Sequence, residues 1–206
     1  MTETKSYDFV FLRHGESVGN AEERFQGQAD YPLTEAGRAQ ARALAERWQK
    51  DGMKFDLAVT SPLVRAKETA QIIGGLLHIR VEADPVWMER DNGRMSGLTV
   101  EEVRRLFPEP AFKNPYETFG ESGEGDWELF LRAGRGVQAL LRRPPGKYLV
   151  VTHGGLLNKL MYAILSIPVQ ANFNGPAFRF GNAGFAVFNY LPERHQWRLI
   201  RLESPD

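Results

Sequence analysis

Histidine and arginine side chains follow apolar stretches of this sequence. Residues 9–12 are apolar and lead into Arg13 and His14, and the apolar stretch 148–152 leads into His153. A short apolar run that ends at a glycine turn is typical of a buried parallel strand that feeds a loop. Ligands of open α/β sheets bind where the carboxyl ends of such strands meet. Basic side chains delivered to that edge indicate an anionic ligand.

A third β-favouring stretch, 56–60, is followed by Arg65, which the sequence places in the first turns of a helix. Guanidinium groups bind phosphate oxygens two at a time and keep their charge. Arg13 and Arg65 come from different strand ends, so we expect them to hold an anionic group from two sides. Asn20 is expected to add an amide donor, and the backbone near Gly154 the positive end of a helix dipole.

The nucleophile and the proton donor are predicted from the remaining residues. The chain contains no cysteine, which excludes a thiolate nucleophile and a disulfide framework. The imidazole of His14 is the natural candidate, because neighbouring cations favour its neutral form and a backbone carbonyl would fix its tautomer. Glu89 is a candidate general acid, and the apolar Trp87 and Met88 before it predict a wall that raises its pKa. Three nearby acids stay open as alternatives at this point: Asp91, Glu101 and Glu121.

Four stretches resemble the motifs of one protein family. The stretch LRHGES at 12–17, with Asn20 after it, resembles the signature of the histidine phosphatase superfamily. The stretches SPLVRA at 61–66 and THGG at 152–155 resemble the second and third basic motifs of that superfamily. The acid-bearing motif of its phosphoglycerate mutase branch is similar to ERDNGRMSGL at 89–98. The four occur in the family's order and span most of the chain.

The resemblance implies roles for individual residues. It implies a phosphohistidine intermediate on His14, and it gives His153 the task of binding and stabilising the transferred group. It also implies backbone contacts between the substrate and Gln26 and Gly27. No cofactor and no metal are expected. A zinc site of two histidines and Glu89 is the alternative, but the two adjacent arginines would repel the ion.

Strand and helix patterns alternate along the chain, which predicts a three-layer α/β/α sandwich with a mostly parallel sheet and an antiparallel edge strand. The resemblance implies the same phosphoglycerate mutase-like fold. Its 206 residues suit a single domain, 1–206. Residues 84–146 mix glycines, prolines and aromatics and are interpreted as a helical cap over the strand ends. Helices are predicted at about 16–24, 35–50, 61–74, 99–106, 122–142 and 154–165, and further strands at 79–82, 184–188 and 196–200.

Composition excludes several classes of partner. The formal net charge is zero, so no overall field attracts nucleic acid or a membrane surface. No apolar run approaches the ~20 residues of a membrane helix, and residues 1–8 lack the apolar core of a signal peptide. We therefore expect a cytoplasmic protein with a small phosphorylated substrate. Phe173 and Phe178 indicate an exposed apolar surface, which leaves a homodimer open.

The sequence favours hydrolysis over isomerisation. Asn92 stands where the mutase branch usually has Tyr, Val100 where it has Lys, and Gly19 where it has Trp. A mutase must hold a bisphosphate and exclude water, and no Arg-Arg pair stands at the expected second phosphate clamp. A phosphomonoesterase is therefore the expected function, a cofactor-dependent phosphoglycerate mutase is the alternative, and a non-catalytic phospho-ligand binding protein stays open.

Overall fold

Six strands form one sheet in a computed structural model that describes residues 6–204. The strands are β1 (Tyr7–Arg13), β2 (Leu57–Thr60), β3 (Val81–Ala83), β4 (Lys147–Thr152), β5 (Phe185–Leu191) and β6 (Gln196–Glu203). The helices are α1 (Val18–Ala21), α2 (Glu35–Lys50), α3 (Val64–Leu77), α4 (Val100–Leu106), α5 (Asp126–Leu141) and α6 (Gly154–Leu165).

The strand order is β3-β2-β4-β1-β5-β6, and the first four strands in this order run parallel. β5 pairs antiparallel with β1 and β6, which makes the antiparallel edge. The neighbours β1, β4 and β2 therefore end at the same edge of the sheet. The predicted α/β fold is confirmed, and its centre is the strand pair that delivers the two histidines.

Alternating side chains of β1 fill two cores, one on each face of the sheet. Phe9 and Phe11 belong to the core covered by α5 and α6. Val10 and Leu12 belong to the core covered by α2 and α3. All four are fully buried, as expected for a central strand that helices cover on both faces. These are the three predicted layers.

Helix α5 corrects the interpretation of 84–146 as a cap. Its buried residues Leu129, Ala133 and Leu140 join the core with α6, so this part of the stretch lies in a helical layer. It runs unbroken through Gly136, where a Cβ would lie 2.9 Å from the ring of Trp87. The glycine is explained by this close contact rather than by a break in the helix.

Several element boundaries differ from those predicted. Helix α3 begins at Val64 rather than at Pro62 after an N-cap at Ser61, as the sequence predicts, because the N–H of Ser61 donates to Val151 O at 3.0 Å and continues the sheet. Helix α5 begins at Asp126 rather than 122, and α1 is confined to four residues. Strand β3 is shifted from 79–82, while β5 and β6 extend three residues further than predicted.

No helix among residues 6–204 is long and apolar enough to cross a membrane.

Candidate active site

The paired ends of β1 and β4 bring two histidines together. Arg13 lies opposite Thr152 in the register, and the N–H of His14 donates to Thr152 O at 3.0 Å. The rings of His14 and His153 meet edge to face with their centroids 5.1 Å apart. The predicted convergence of strand ends thus occurs, and both rings are buried.

The ring of His14 is held in one tautomer. Its Nδ1 lies 2.6 Å from Gly15 O. A carbonyl only accepts, so Nδ1 carries the proton and Nε2 keeps its lone pair. Burial, followed by the charges of Arg65 and Arg13, holds the pKa of His14 well below its usual value.

Close packing of the backbone requires a glycine at position 15, because a Cβ there would lie 2.4 Å from the carbonyl oxygen of Gly37.

Four buried side-chain nitrogens around His14 have no hydrogen-bond partner within residues 6–204. They are Nε of Arg13, Nε of Arg65, and both ring nitrogens of His153. Burial and then the charge of Arg65 hold the pKa of His153 well below its usual value, so this ring is neutral at pH 7. Buried polar groups are nearly always paired, so the two guanidinium N–H donors and the single N–H of the neutral His153 ring point to a ligand that accepts hydrogen bonds.

Backbone carbonyls fix the two arginines. Arg65 donates to Gly27 O at 2.7 Å and to Ala29 O at 2.9 Å, and Arg13 donates to Phe180 O at 2.6 Å. Burial lowers the pKa of Arg65 to about 10, which still leaves it charged at neutral pH. The carbonyl of Gly27 thus orients Arg65.

Asn20 presents an amide donor to the same cavity. Its Oδ1 accepts from the backbone N–H of Ser17 at 3.1 Å and from Asn182 Nδ2 at 3.1 Å, which leaves its NH₂ group for a ligand. Gln26 is buried, and its Oε1 accepts from Ser17 Oγ at 2.7 Å. Asn182 was not predicted, although its Nδ2 also lies 3.3 Å from His14 O. Nothing in its local sequence marks it.

Glu89 has polar surroundings, which corrects the predicted apolar wall. Its Oε2 accepts from the N–H of Gly155 at 2.9 Å, and its Oε1 accepts from the N–H of Leu156 at 3.0 Å. The ring of Trp87 instead packs in the core against Phe11. The first N–H groups of α6 therefore hold a carboxylate, where we had expected a bound anion.

The chain around Gly154 nevertheless remains close to the site. A Cβ on Gly154 would lie 3.6 Å from Nε of Arg13. Burial lowers the pKa values of Arg13 and Arg65, and the negative charge of Glu89 partly offsets this decrease for both residues. The carboxylate thus acts on both arginines that flank His14.

Arg132 positions Glu89 and was also not predicted. From α5 it donates to the carbonyls of Val86 at 2.9 Å, Met88 at 2.6 Å and Glu89 at 3.1 Å. A bidentate ion pair with Glu124 fixes its guanidinium. In the sequence it is one more arginine of an amphipathic helix, so no local signal identifies it.

A cavity of about 460 Å³ opens over these groups. It is lined by seven of the predicted residues: Arg13, His14, Asn20, Gln26, Gly27, Arg65 and Glu89. His153 and Gly154 do not line it, and the ring of His153 is fully buried beside that of His14. Among residues 6–204, no three His, Asp or Glu side chains are grouped so that they could hold a metal ion.

The chain belongs to the histidine phosphatase superfamily, because the sequence model of branch 1 of that superfamily matches residues 9–203. It is 36% identical over 154 residues to an uncharacterized phosphatase, PhoE, of Bacillus subtilis, which covers 74% of this chain and 75% of the relative. It is 33% identical over 172 residues to a 2,3-bisphosphoglycerate-dependent phosphoglycerate mutase of Mesorhizobium japonicum, covering 77% and 82%.

A solved structure supports the same assignment. A mycobacterial glucosyl-3-phosphoglycerate phosphatase in complex with VO3 superposes with a TM-score of 0.82 and 29% identity. The match covers 97% of this chain and 100% of that one. Relatives of this chain thus include both phosphatases and mutases.

Proposed function

We propose that this protein hydrolyses a small phosphomonoester through a phosphohistidine intermediate on His14. The observation that carries the proposal is a set of buried N–H donors around that ring that have no partner among residues 6–204. They are Nε of Arg13, Nε of Arg65 and the one N–H of the neutral His153 ring, and together they suit the oxygens of a phosphoryl group. The site therefore has donors arranged around a neutral nucleophile.

In the first half-reaction, the lone pair on Nε2 of His14 attacks phosphorus. The new P–N bond forms as the P–O bond to the leaving group breaks, and the carboxyl of Glu89 gives its proton to the leaving oxygen. Arg13 and Arg65 neutralise the charge on the transferred oxygens, which is the main contribution that phosphoryl transfer needs. The contact of Nδ1 with Gly15 O supports this assignment because it leaves Nε2 available.

In the second half-reaction, the carboxylate of Glu89 takes a proton from water. The water oxygen attacks phosphorus, the P–N bond breaks, and the electron pair returns to Nε2 of His14. Inorganic phosphate leaves and Glu89 is again protonated. Two protons thus move through the same carboxyl, which lies beside both arginines and is held by Gly155 and Leu156.

A cofactor-dependent phosphoglycerate mutase is the second candidate, favoured by the mutases among the relatives. Two positions weigh against it. A Cβ on Gly19 would lie 2.5 Å from the side chain of Gln26, so Gln26 occupies the space of the larger residue expected in a mutase. Asn92 lines the cavity in place of the mutase tyrosine.

The test measures hydrolysis of para-nitrophenyl phosphate by the wild type and by His14→Asn. We expect turnover to be lost in His14→Asn and kept in the control His78→Asn, which alters an exposed histidine at the end of α3. Equal rates in the wild type and His14→Asn would refute the nucleophile. With 3-phosphoglycerate as substrate, release of inorganic phosphate supports hydrolysis, whereas isomerisation dependent on 2,3-bisphosphoglycerate would refute it in favour of the mutase.

A further inference from the structure

We propose that Arg90, Asp126 and Lys159 form a second anion subsite in the same cavity, which selects phosphomonoesters that also carry one carboxylate. We call these three residues the charge triad. All three line the cavity that contains His14. The inference rests on the proposed function, because it concerns the part of the substrate that stays outside the reaction.

The charge triad is buried and tightly paired. Asp126 Oδ1 accepts from Arg90 Nη2 at 2.5 Å, and its Oδ2 accepts from Lys159 Nζ at 2.6 Å. The side chains are 13% exposed for Arg90, 3% for Asp126 and 7% for Lys159. Burying three charges is costly unless their partners are complete. Two cations share one carboxylate here, so the group keeps a net charge of +1.

Aromatic rings cover the sides of both cations. The guanidinium of Arg90 lies 4.9 Å from the ring centroid of Phe119, and Nζ of Lys159 lies 4.4 Å from that of Tyr162. Such faces stabilise a cation without adding an opposite charge. Asp126 uses one guanidinium nitrogen and the ammonium, and the remaining N–H donors of the two cations suit an anion in the cavity.

The position of the charge triad limits the length of the substrate. Lys159 follows Gly155 by four residues, so both lie on one face of α6, about 6 Å apart along its axis. The N–H of Gly155 holds Glu89, which is also the chain neighbour of Arg90. The second anionic group must therefore lie within a few bonds of the phosphoester oxygen that Glu89 protonates.

The net charge favours a carboxylate over a second phosphate. A phosphate monoester carries about −1.5 to −2 at pH 7, whereas a carboxylate carries −1. A net charge of +1 balances the carboxylate and leaves a second phosphate undercompensated. This is the reverse of what a bisphosphate-holding mutase needs, and it agrees with hydrolysis as the reaction.

The test compares 3-phosphoglycerate with glycerol 3-phosphate, which has a CH₂OH group in place of the carboxylate. We expect the wild type to prefer 3-phosphoglycerate by about tenfold or more in kcat/KM, the value of one charge-assisted hydrogen bond. Lys159→Met lowers the net charge of the charge triad to zero and should bring the ratio close to one. Asp126→Asn raises that net charge to +2 and should raise the ratio. The matched control Lys67→Met alters an exposed lysine of α3 and should keep the wild-type ratio.

Two outcomes would overturn the subsite. One is a wild-type ratio near one, and the other is a Lys159→Met variant that loses activity equally on both substrates, as a purely structural pair would. Calorimetry of the same two ligands with His14→Asn measures the ratio of Kd values without turnover. If the wild type turns over neither substrate while the Kd ratio in His14→Asn is about tenfold, the proposed hydrolysis alone is refuted. If the wild type turns both over while the two Kd values are equal, the subsite alone is refuted.

Discussion

The two buried histidines predict a loss of stability at mildly acidic pH. Burial, reinforced by the nearby arginines, holds the pKa values of His14 and His153 well below 6.5 in the folded protein. On unfolding, both rings regain the ordinary value of about 6.5 and take up protons. The unfolded state then binds more protons than the folded state, so stability is fully present above pH 6.5 and is lost as the pH falls towards the folded pKa values.

The size of this loss follows from proton linkage. Lowering the pH from 7.0 to 5.5 favours the unfolded state by up to about 1.25 kcal/mol for each ring that stays neutral when folded. The two rings together cost up to about 2.5 kcal/mol. That is a large share of the roughly 5–15 kcal/mol that stabilises a typical domain.

Urea unfolding followed by circular dichroism at pH 7.0 and 5.5 measures the loss. We expect His153→Asn to remove about half of the histidine contribution and the double variant with His14→Asn to remove nearly all of it. Carboxylates that titrate in the same range contribute equally to the stability loss of the wild type and of the variants. Their contribution therefore cancels when the two losses are subtracted. His78→Asn, at the exposed end of α3, should keep the wild-type loss. An equal loss in the wild type and the double variant would refute the assignment of two neutral buried rings.

Three further predictions concern the site and the helix behind it. Arg65→Gln removes a cation beside His14, so the pKa of His14 rises and the acid limb of the kcat/KM profile moves to higher pH. Arg132→Met frees the loop that carries the general acid, so kcat/KM, which reports the phosphorylation step, should fall at least tenfold for an alkyl phosphate, whose leaving group needs a proton, and less for para-nitrophenyl phosphate. Gly136→Ala places a Cβ 2.9 Å from the buried ring of Trp87 and should lower the free energy of unfolding by about 1–3 kcal/mol.

Arg132→Met and Gly136→Ala each have a control variant in the same helix, and each of the three predictions has an outcome that would contradict it. An unmoved acid limb in Arg65→Gln would contradict the electrostatic coupling. Arg135→Met changes an exposed arginine of α5 and should leave both rates unchanged, and equal losses on both substrates in Arg132→Met would contradict its positioning role. Gly134→Ala meets nothing within 4 Å and should stabilise α5 by about 0.5–1 kcal/mol, and equal effects at the two glycines would contradict the Trp87 contact.

The parts of the site that follow from strand ends were predictable from the sequence. The apolar run before His14 and the run before His153 are parallel neighbours, and adjacent parallel strands place the residues that follow them side by side. Arg65 joins them for the same reason, because β2 pairs with β4. The continuous apolar run of β1 likewise predicts a strand covered on both faces.

The parts that depend on packing between distant segments were not predictable. The surroundings of Glu89 were inferred from its chain neighbours, but its carboxylate binds N–H groups 66 and 67 residues away. Arg132 and Asn182 act through contacts with loops 43 and 168 residues away. At Ser61, a local helix-start signal gave way to a hydrogen bond with β4 that extends the sheet.

Covalent capture of the intermediate tests the central claim most directly. In Glu89→Gln, para-nitrophenyl phosphate has a leaving group that needs little protonation, while activation of water is lost, so the phosphoenzyme should accumulate. After an alkaline quench, mass spectrometry should find one added phosphoryl group on the peptide that contains His14 and none in the variant that also carries His14→Asn. A phosphoryl group on another residue, or turnover in Glu89→Gln at the wild-type rate without any adduct, would contradict a phosphohistidine mechanism at this site.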